Sequence, residues 1–157
     1  MNMILKDEQF LNTAGWRVAN AKACIFISTF KAEITTKKRG KKLKEFFDLL
    51  IAAANEGVNV LLLTNGKEHR NHIPDSNAYA IKYLKKSKVK VRVLPNARVC
   101  HAKLIIIDWE VAILGSHNLS VRSCHNNFEL SVEISDKEQI RALYDIFCQL
   151  WNDAKAI

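Results

Sequence analysis

The stretch His101-Ala102-Lys103, followed by Asp108 and then by Gly115-Ser116-His117-Asn118, breaks an otherwise apolar pattern with groups that can do chemistry. An imidazole that titrates near neutral pH can act as nucleophile or base. A lysine, a hydroxyl and a carboxamide can donate hydrogen bonds to non-bridging phosphate oxygens as charge grows on them. These four side-chain types together match what cleavage of a phosphodiester requires.

Their spacing predicts a shared face. Along a strand, residues two apart point the same way, so His101 goes with Lys103 and Ser116 with Asn118. A hairpin looped at Trp109-Glu110 sets Asp108 opposite Val111, Lys103 opposite Ser116 and His101 opposite Asn118. Trp-Glu lacks the Asn or Gly that such a two-residue turn prefers. Asp108 has the opposite parity and is read as a brace for the turn or for a neighbouring element. His117 also turns away from His101 and is read as a packing or surface residue. Cys100 beside His101 raises a zinc site, but no second closely spaced ligand pair accompanies it, so no metal is expected.

The motif resembles that of the phospholipase D superfamily: H-x-K, four residues, D, six residues and G-S-x-N, complete at His101, Lys103, Asp108, Gly115, Ser116 and Asn118. The resemblance implies a metal-independent phosphodiesterase without cofactors, in which His101 attacks phosphorus to give a phosphohistidine. It assigns Lys103 and Asn118 to the phosphoryl oxygens and an added hydrogen bond to Ser116. Asp108 and Gly115 are structural members of the motif. The family's downstream acidic residue has its candidate in Glu129, to orient or tune a histidine.

Only one such motif occurs in the chain. Superfamily members with two motifs are typically more than twice this length, whereas this chain is similar to the small single-motif nucleases that build one active site from two identical subunits. One histidine attacks and another protonates the leaving oxygen, so a homodimer is implied, with two copies of His101 facing across a twofold axis. The expected activity is that of an endonuclease on DNA or RNA. The alternatives are a phospholipid or cardiolipin hydrolase and, in a different class, a catalytically silent nucleic-acid-binding module.

The elements that must position these groups follow from hydrophobic period. Helical spacing marks residues 7–21 (Phe10, Leu11, Ala14, Val18 and Ala21), a helix from Lys41 to Gly57, and one over about 76–86. Strands are expected at 23–30, 58–64, 89–93, 104–107, 111–114 and 128–134. Ser135 with Glu138 reads as a capping box that opens a last helix carrying Ile140, Leu143, Tyr144, Phe147 and Trp151 on one face. The order of elements gives an α/β fold, a mixed β-sheet flanked by helices on both faces, and the resemblance makes it a phospholipase D/nuclease-like fold. His69 and His72, in a polar loop at 65–75, and His125, in another, are read as exposed.

The chain has 157 residues, 48% hydrophobic and 25% charged, with 5 Gly and 2 Pro, which suits a single domain over 1–157. A net charge of +8 favours polyanionic partners. Residues 31–44 supply +6 of it: seven basic side chains, among them Lys37, Lys38, Arg39, Lys41, Lys42 and Lys44, against Glu33. These six are the candidate nucleic-acid contacts. With no signal-like start, no membrane-length apolar run and four widely spaced cysteines read as free thiols, the expected location is the cytoplasm, without stable membrane association.

Overall fold

The computed structural model describes residues 2–66, 75–95 and 99–157. Eight strands form one mixed sheet: β1 (Met3–Lys6), β2 (Cys24–Ser28), β3 (Asn59–Asn65), β4 (Lys90–Leu94), β5 (Lys103–Ile107), β6 (Val111–Gly115), β7 (Leu130–Ile134) and β8 (Lys155–Ala156). Their spatial order is β1-β7-β6-β5-β2-β3-β4-β8. The strands β2, β3 and β4 run parallel, and the rest of the sheet pairs antiparallel.

All five residues of β2 are buried, as a central strand covered on both faces requires. One face carries α1 (Glu8–Ala19), α2 (Lys41–Asn55) and α3 (Asp75–Leu84), whose Phe10, Ala14, Phe46, Leu50 and Leu84 pack with Ile25, Ile27, Ile105 and Ile113. The other face carries α5 (Lys137–Asp153), whose Ile140 and Phe147 pack with Phe26, Leu104 and Ile106. Residues of opposite parity on each strand thus enter different cores. Helices cover both faces, as the order of elements predicts.

Among the described residues, four elements escape the sequence pattern: β1, β8, the 3-10 turn Lys38–Gly40 and the one-turn helix α4 (Val121–His125). Each is too short to show a period, and each exists through its neighbours. The edge strand β1 pairs with β7, β8 pairs with β4, and the hydroxyl of Ser120 caps α4 by accepting from Ser123 N. At α5 the cap is Asp136 and not Ser135: its carboxylate accepts from Gln139 N at 2.9 Å. The helix starts at Lys137, so Glu138 falls one position short of the reciprocal capping contact. His69 and His72 lie outside the described residues. His125 is half-buried on α4 with Nδ1 3.1 Å from Glu8 Oε1, so it is not an exposed loop residue. All four cysteines are free; Cys24, Cys100 and Cys124 are buried and Cys148 is half-exposed.

Candidate active site

The hairpin that carries the motif turns through three residues, not two. Ile107 pairs with Val111 and Lys103 with Gly115, which corrects the Lys103–Ser116 register. The cause lies in Asp108. Asp108 and Trp109 take left-handed φ values of 53° and 60°, a conformation that costs on the order of 1 kcal/mol each. In that conformation the Asp108 carboxylate accepts from Lys22 N, Ala23 N and Cys24 N at 2.7, 2.7 and 2.9 Å, fixing the entry to β2. Burial alone would raise its pKa, but these three N–H groups outweigh it and hold the carboxyl below its usual range. Trp109 packs edge-on against Phe26 and Tyr144.

The ladder ends at Lys103 and Gly115, so His101 and Asn118 lie beyond it and are not a cross-strand pair. Lys103 Nζ sits 2.9 Å from His101 Nδ1 and 3.2 Å from Nε2, and it donates to His101 O at 2.7 Å. The ring of Phe30, just past β2, backs both: it is 5.1 Å from the His101 ring and 5.8 Å from Lys103 Nζ. His101 is exposed, and Lys103 is half-buried. Burial lowers the Lys103 pKa, a pull that the negative charge of Glu129 partly opposes.

Gly115 lets β6 approach β7 closely, because a Cβ there would run into Ser131 Oγ and Cα and Leu130 O. Beyond it the chain leaves strand parity. Ser116 Oγ makes a short hydrogen bond to Glu129 Oε2 and accepts from Leu130 N at 3.1 Å. Glu129 also accepts from Ser123 Oγ at 2.9 Å and Asn127 Nδ2 at 3.0 Å. Burial would raise its carboxyl, yet these donors hold it below the usual value, so it is ionised at neutral pH. It touches Ser116 and not His101. Asn118 Oδ1 accepts from Lys31 N at 3.2 Å. His117 is buried and stacked on Phe10, its Nδ1 2.7 Å from Ser131 Oγ and its Nε2 3.0 Å from Asp7 O.

The sequence reading missed the shell behind these groups. Asn65 and Asn77 are fully buried, and both donate to Phe30 O, at 3.2 and 3.0 Å. Asn65 also brackets Cys100, the residue before His101. Uncharged amides at the end of an apolar strand and in the following helix were the available signal.

The basic segment divides. Lys37, Lys38 and Arg39 line an open cleft and enter no ion pair among the described residues. Lys41 pairs with Glu45 at 3.9 Å, Lys42 with Glu8 at 3.5 Å and Lys44 with Asp48 at 2.7 Å. No group of three or more metal-ligating side chains occurs among the described residues, and no helix there is long and apolar enough to cross a membrane.

A mixed sheet covered on both faces, with H-x-K leading into β5 and G-S-x-N running out of β6, carries the phospholipase D motif on a phospholipase D-like fold. The chain belongs to the phospholipase D superfamily: the family described as "Cardiolipin synthase, PLD-like domain" matches residues 17–151. It is 31% identical over 98 residues to the cardiolipin synthase of Listeria monocytogenes serotype 4a, covering 62% of this chain and 20% of that protein. The chain thus spans about a fifth of the length of the curated relatives it matches. In fold it resembles the phospholipase D family member Nuc from Salmonella typhimurium, with a TM-score of 0.84 at 18% identity, covering 100% of this chain and 97% of that one. NucT from Helicobacter pylori gives a TM-score of 0.81 at 19% identity, with coverage of 100% and 99%.

Proposed function

We propose that the protein is a metal-independent phosphodiesterase, an endonuclease of DNA or RNA, that forms a phosphohistidine on His101 at a site shared by two identical subunits of one domain each. The observation that carries this reading is the His101–Lys103 pair, whose cationic nitrogen lies within 2.9 Å of the imidazole, open to solvent and backed by Phe30. A phosphate at the imidazole would meet that cation directly.

In the first step an imidazole nitrogen of His101 forms a bond to phosphorus as the P–O bond to the leaving group breaks. The leaving oxygen takes a proton from the other subunit's histidine. In the second step that histidine removes a proton from water, the water oxygen bonds to phosphorus, and the P–N bond breaks to restore His101. Lys103 and Asn118 hold the non-bridging oxygens in both steps. Glu129 fixes Ser116, so in this chain its role is to orient that hydroxyl. The fold match to Nuc-type chains over nearly their whole length supports the single-domain reading. Free thiols on all four cysteines suit the reducing cytoplasm as the place of action.

The second reading, a phospholipid or cardiolipin hydrolase, is favoured by the 31% identity to cardiolipin synthase. A panel of plasmid, single-stranded DNA, RNA and cardiolipin vesicles, assayed in EDTA, tests both. Nucleic-acid cleavage that survives EDTA and falls at least about a hundredfold in His101→Asn, with fold retained, is expected. Activity lost in EDTA and restored by Mg²⁺ overturns the metal-independent mechanism, and cleavage of cardiolipin alone overturns the nuclease.

A further inference from the structure

Beside the His101 site, the chain after β2 and the chain around α4 close on each other to form a cleft of 680 Å³. The two walls are pinned. Ala32 bridges Leu119, Glu33 N donates to Leu119 O at 2.8 Å, and Val121 N donates to Glu33 Oε2 at 3.1 Å. The outer lip is a 3-10 turn, Lys38–Gly40, held by Gly40 N donating to Lys37 O at 2.8 Å and Lys37 N donating to Thr35 Oγ1 at 3.2 Å. Gly40 lies so close to Thr35 that a Cβ would strike the threonine methyl. The lip is therefore a fixed part of the wall.

Five cations among the described residues line the cleft: Lys31, Lys37, Lys38, Arg39 and Arg122. Glu33 is the one carboxylate on its lining among the described residues, and it already pairs with Lys31 at 3.7 Å while capping Val121 N. Among the described residues, Val121 is its one aliphatic lining side chain. The inner end joins the reacting groups through two links. Lys31 N donates to Asn118 Oδ1, and Arg122 Nε donates to Asn127 Oδ1 at 3.3 Å, whose Nδ2 donates to Glu129.

Like charges held together on a fixed wall repel one another unless a polyanion neutralises them. A phospholipid brings one phosphodiester and then acyl chains, which would meet a lining dominated by cationic side chains and their stems. A nucleic-acid strand continues its charges past the scissile group. We propose that the cleft is a second phosphate subsite, in which Arg122 and the Lys37, Lys38 and Arg39 lip hold the backbone phosphates flanking the one at His101. This rests on the nuclease reading of the His101 site and deepens it: the substrate class is a polymeric phosphodiester that extends along one side of the catalytic histidine.

The test uses His101→Asn protein, so that binding is read without turnover, and a short fluorescein-labelled single-stranded oligodeoxynucleotide followed by anisotropy across a salt series. Adding Lys38→Gln with Arg122→Gln should weaken binding at least about tenfold and flatten the log-log salt slope by about 1.4, from about 0.7 per lost contact on a single strand. Adding Lys85→Gln with Lys86→Gln instead, two exposed lysines beyond α3, removes the same charge and should leave affinity unchanged. Equal losses from both pairs, or no loss from the cleft pair, overturn the subsite. Failure of the nuclease reading shows separately, as wild-type protein that hydrolyses cardiolipin vesicles and leaves the same oligonucleotide intact. If the cleft pair still loses affinity in that case, the subsite stands as a polyanion site.

Discussion

The carboxamide of Asn65 grips both backbone polar groups of Cys100: Cys100 N donates to Oδ1 at 2.7 Å, and Nδ2 donates to Cys100 O at 3.0 Å. The same Nδ2 donates to Phe30 O at 3.2 Å. One fully buried side chain at the end of β3 thus ties together the backbones that present His101 and its aromatic backing. We expect Asn65→Ala to lower kcat by about tenfold or more with a smaller change in KM, because it loosens the proposed nucleophile rather than the proposed phosphate-binding groups. Unpaired buried groups should also cost about 2–3 kcal/mol of stability. Steady-state kinetics beside thermal melts check it; a variant that melts early but keeps kcat when folded would make Asn65 purely structural.

The lowered pKa of Lys103 sets an alkaline limit. As pH rises through that value the ammonium loses its proton and, with it, the pull proposed for it on the phosphate oxygens, so kcat/KM should begin to fall at a pH below the ordinary lysine pKa of about 10.4. Arginine stays charged there, so whatever activity Lys103→Arg retains should lack that limb. A pH–rate profile decides it, and an unchanged limb in the variant assigns the titration elsewhere.

The proposed shared site predicts a dimer of about twice the 17.9 kDa chain mass by ultracentrifugation. Mixing sharpens the test. If His101→Asn subunits exchange into wild-type dimers, each hybrid holds one catalytic histidine, and excess variant should suppress activity beyond dilution. Simple dilution after verified exchange, or a fully active monomer, overturns the shared site.

Asp108 couples stability to acid. Its folded pKa lies below the unfolded value of about 3.9, so the stabilisation is fully present above that pH and is lost as pH falls through the folded value. Asp108→Asn should cost about 2 kcal/mol at neutral pH, a melting shift of roughly 4–8 °C, and the cost should shrink toward acid. Thermal melts of both proteins across the acid range measure it; a gap that stays constant with pH would mean that the carboxylate charge contributes nothing to the bracing.

Much of this was legible in the chain. Alternation around Val89, Val91 and Val93 and the helical spacing of Phe46, Phe47 and Leu50 reflect burial, which both periods record directly. What escaped was short or tertiary. The strand β1 has four residues and exists because β7 offers it an edge, and Asp136 caps α5 because the chain enters that helix one residue later than Ser135 would allow.

The motif residues, their spacing and the membership of a catalytic family were determined by the sequence alone, because reactive groups must recur at set chain intervals to meet one phosphate. Their actual arrangement was decided by the tertiary structure. The bonds from Asp108 to the entry of β2 impose a three-residue turn and move the register by one. Past Gly115 the chain leaves the sheet, so period-two reasoning no longer says where Ser116 and Asn118 meet their partners. Glu129 on Ser116, Asn65 on Cys100 and Arg122 facing the cationic lip are contacts between segments far apart in the chain, and only packing brings such segments together.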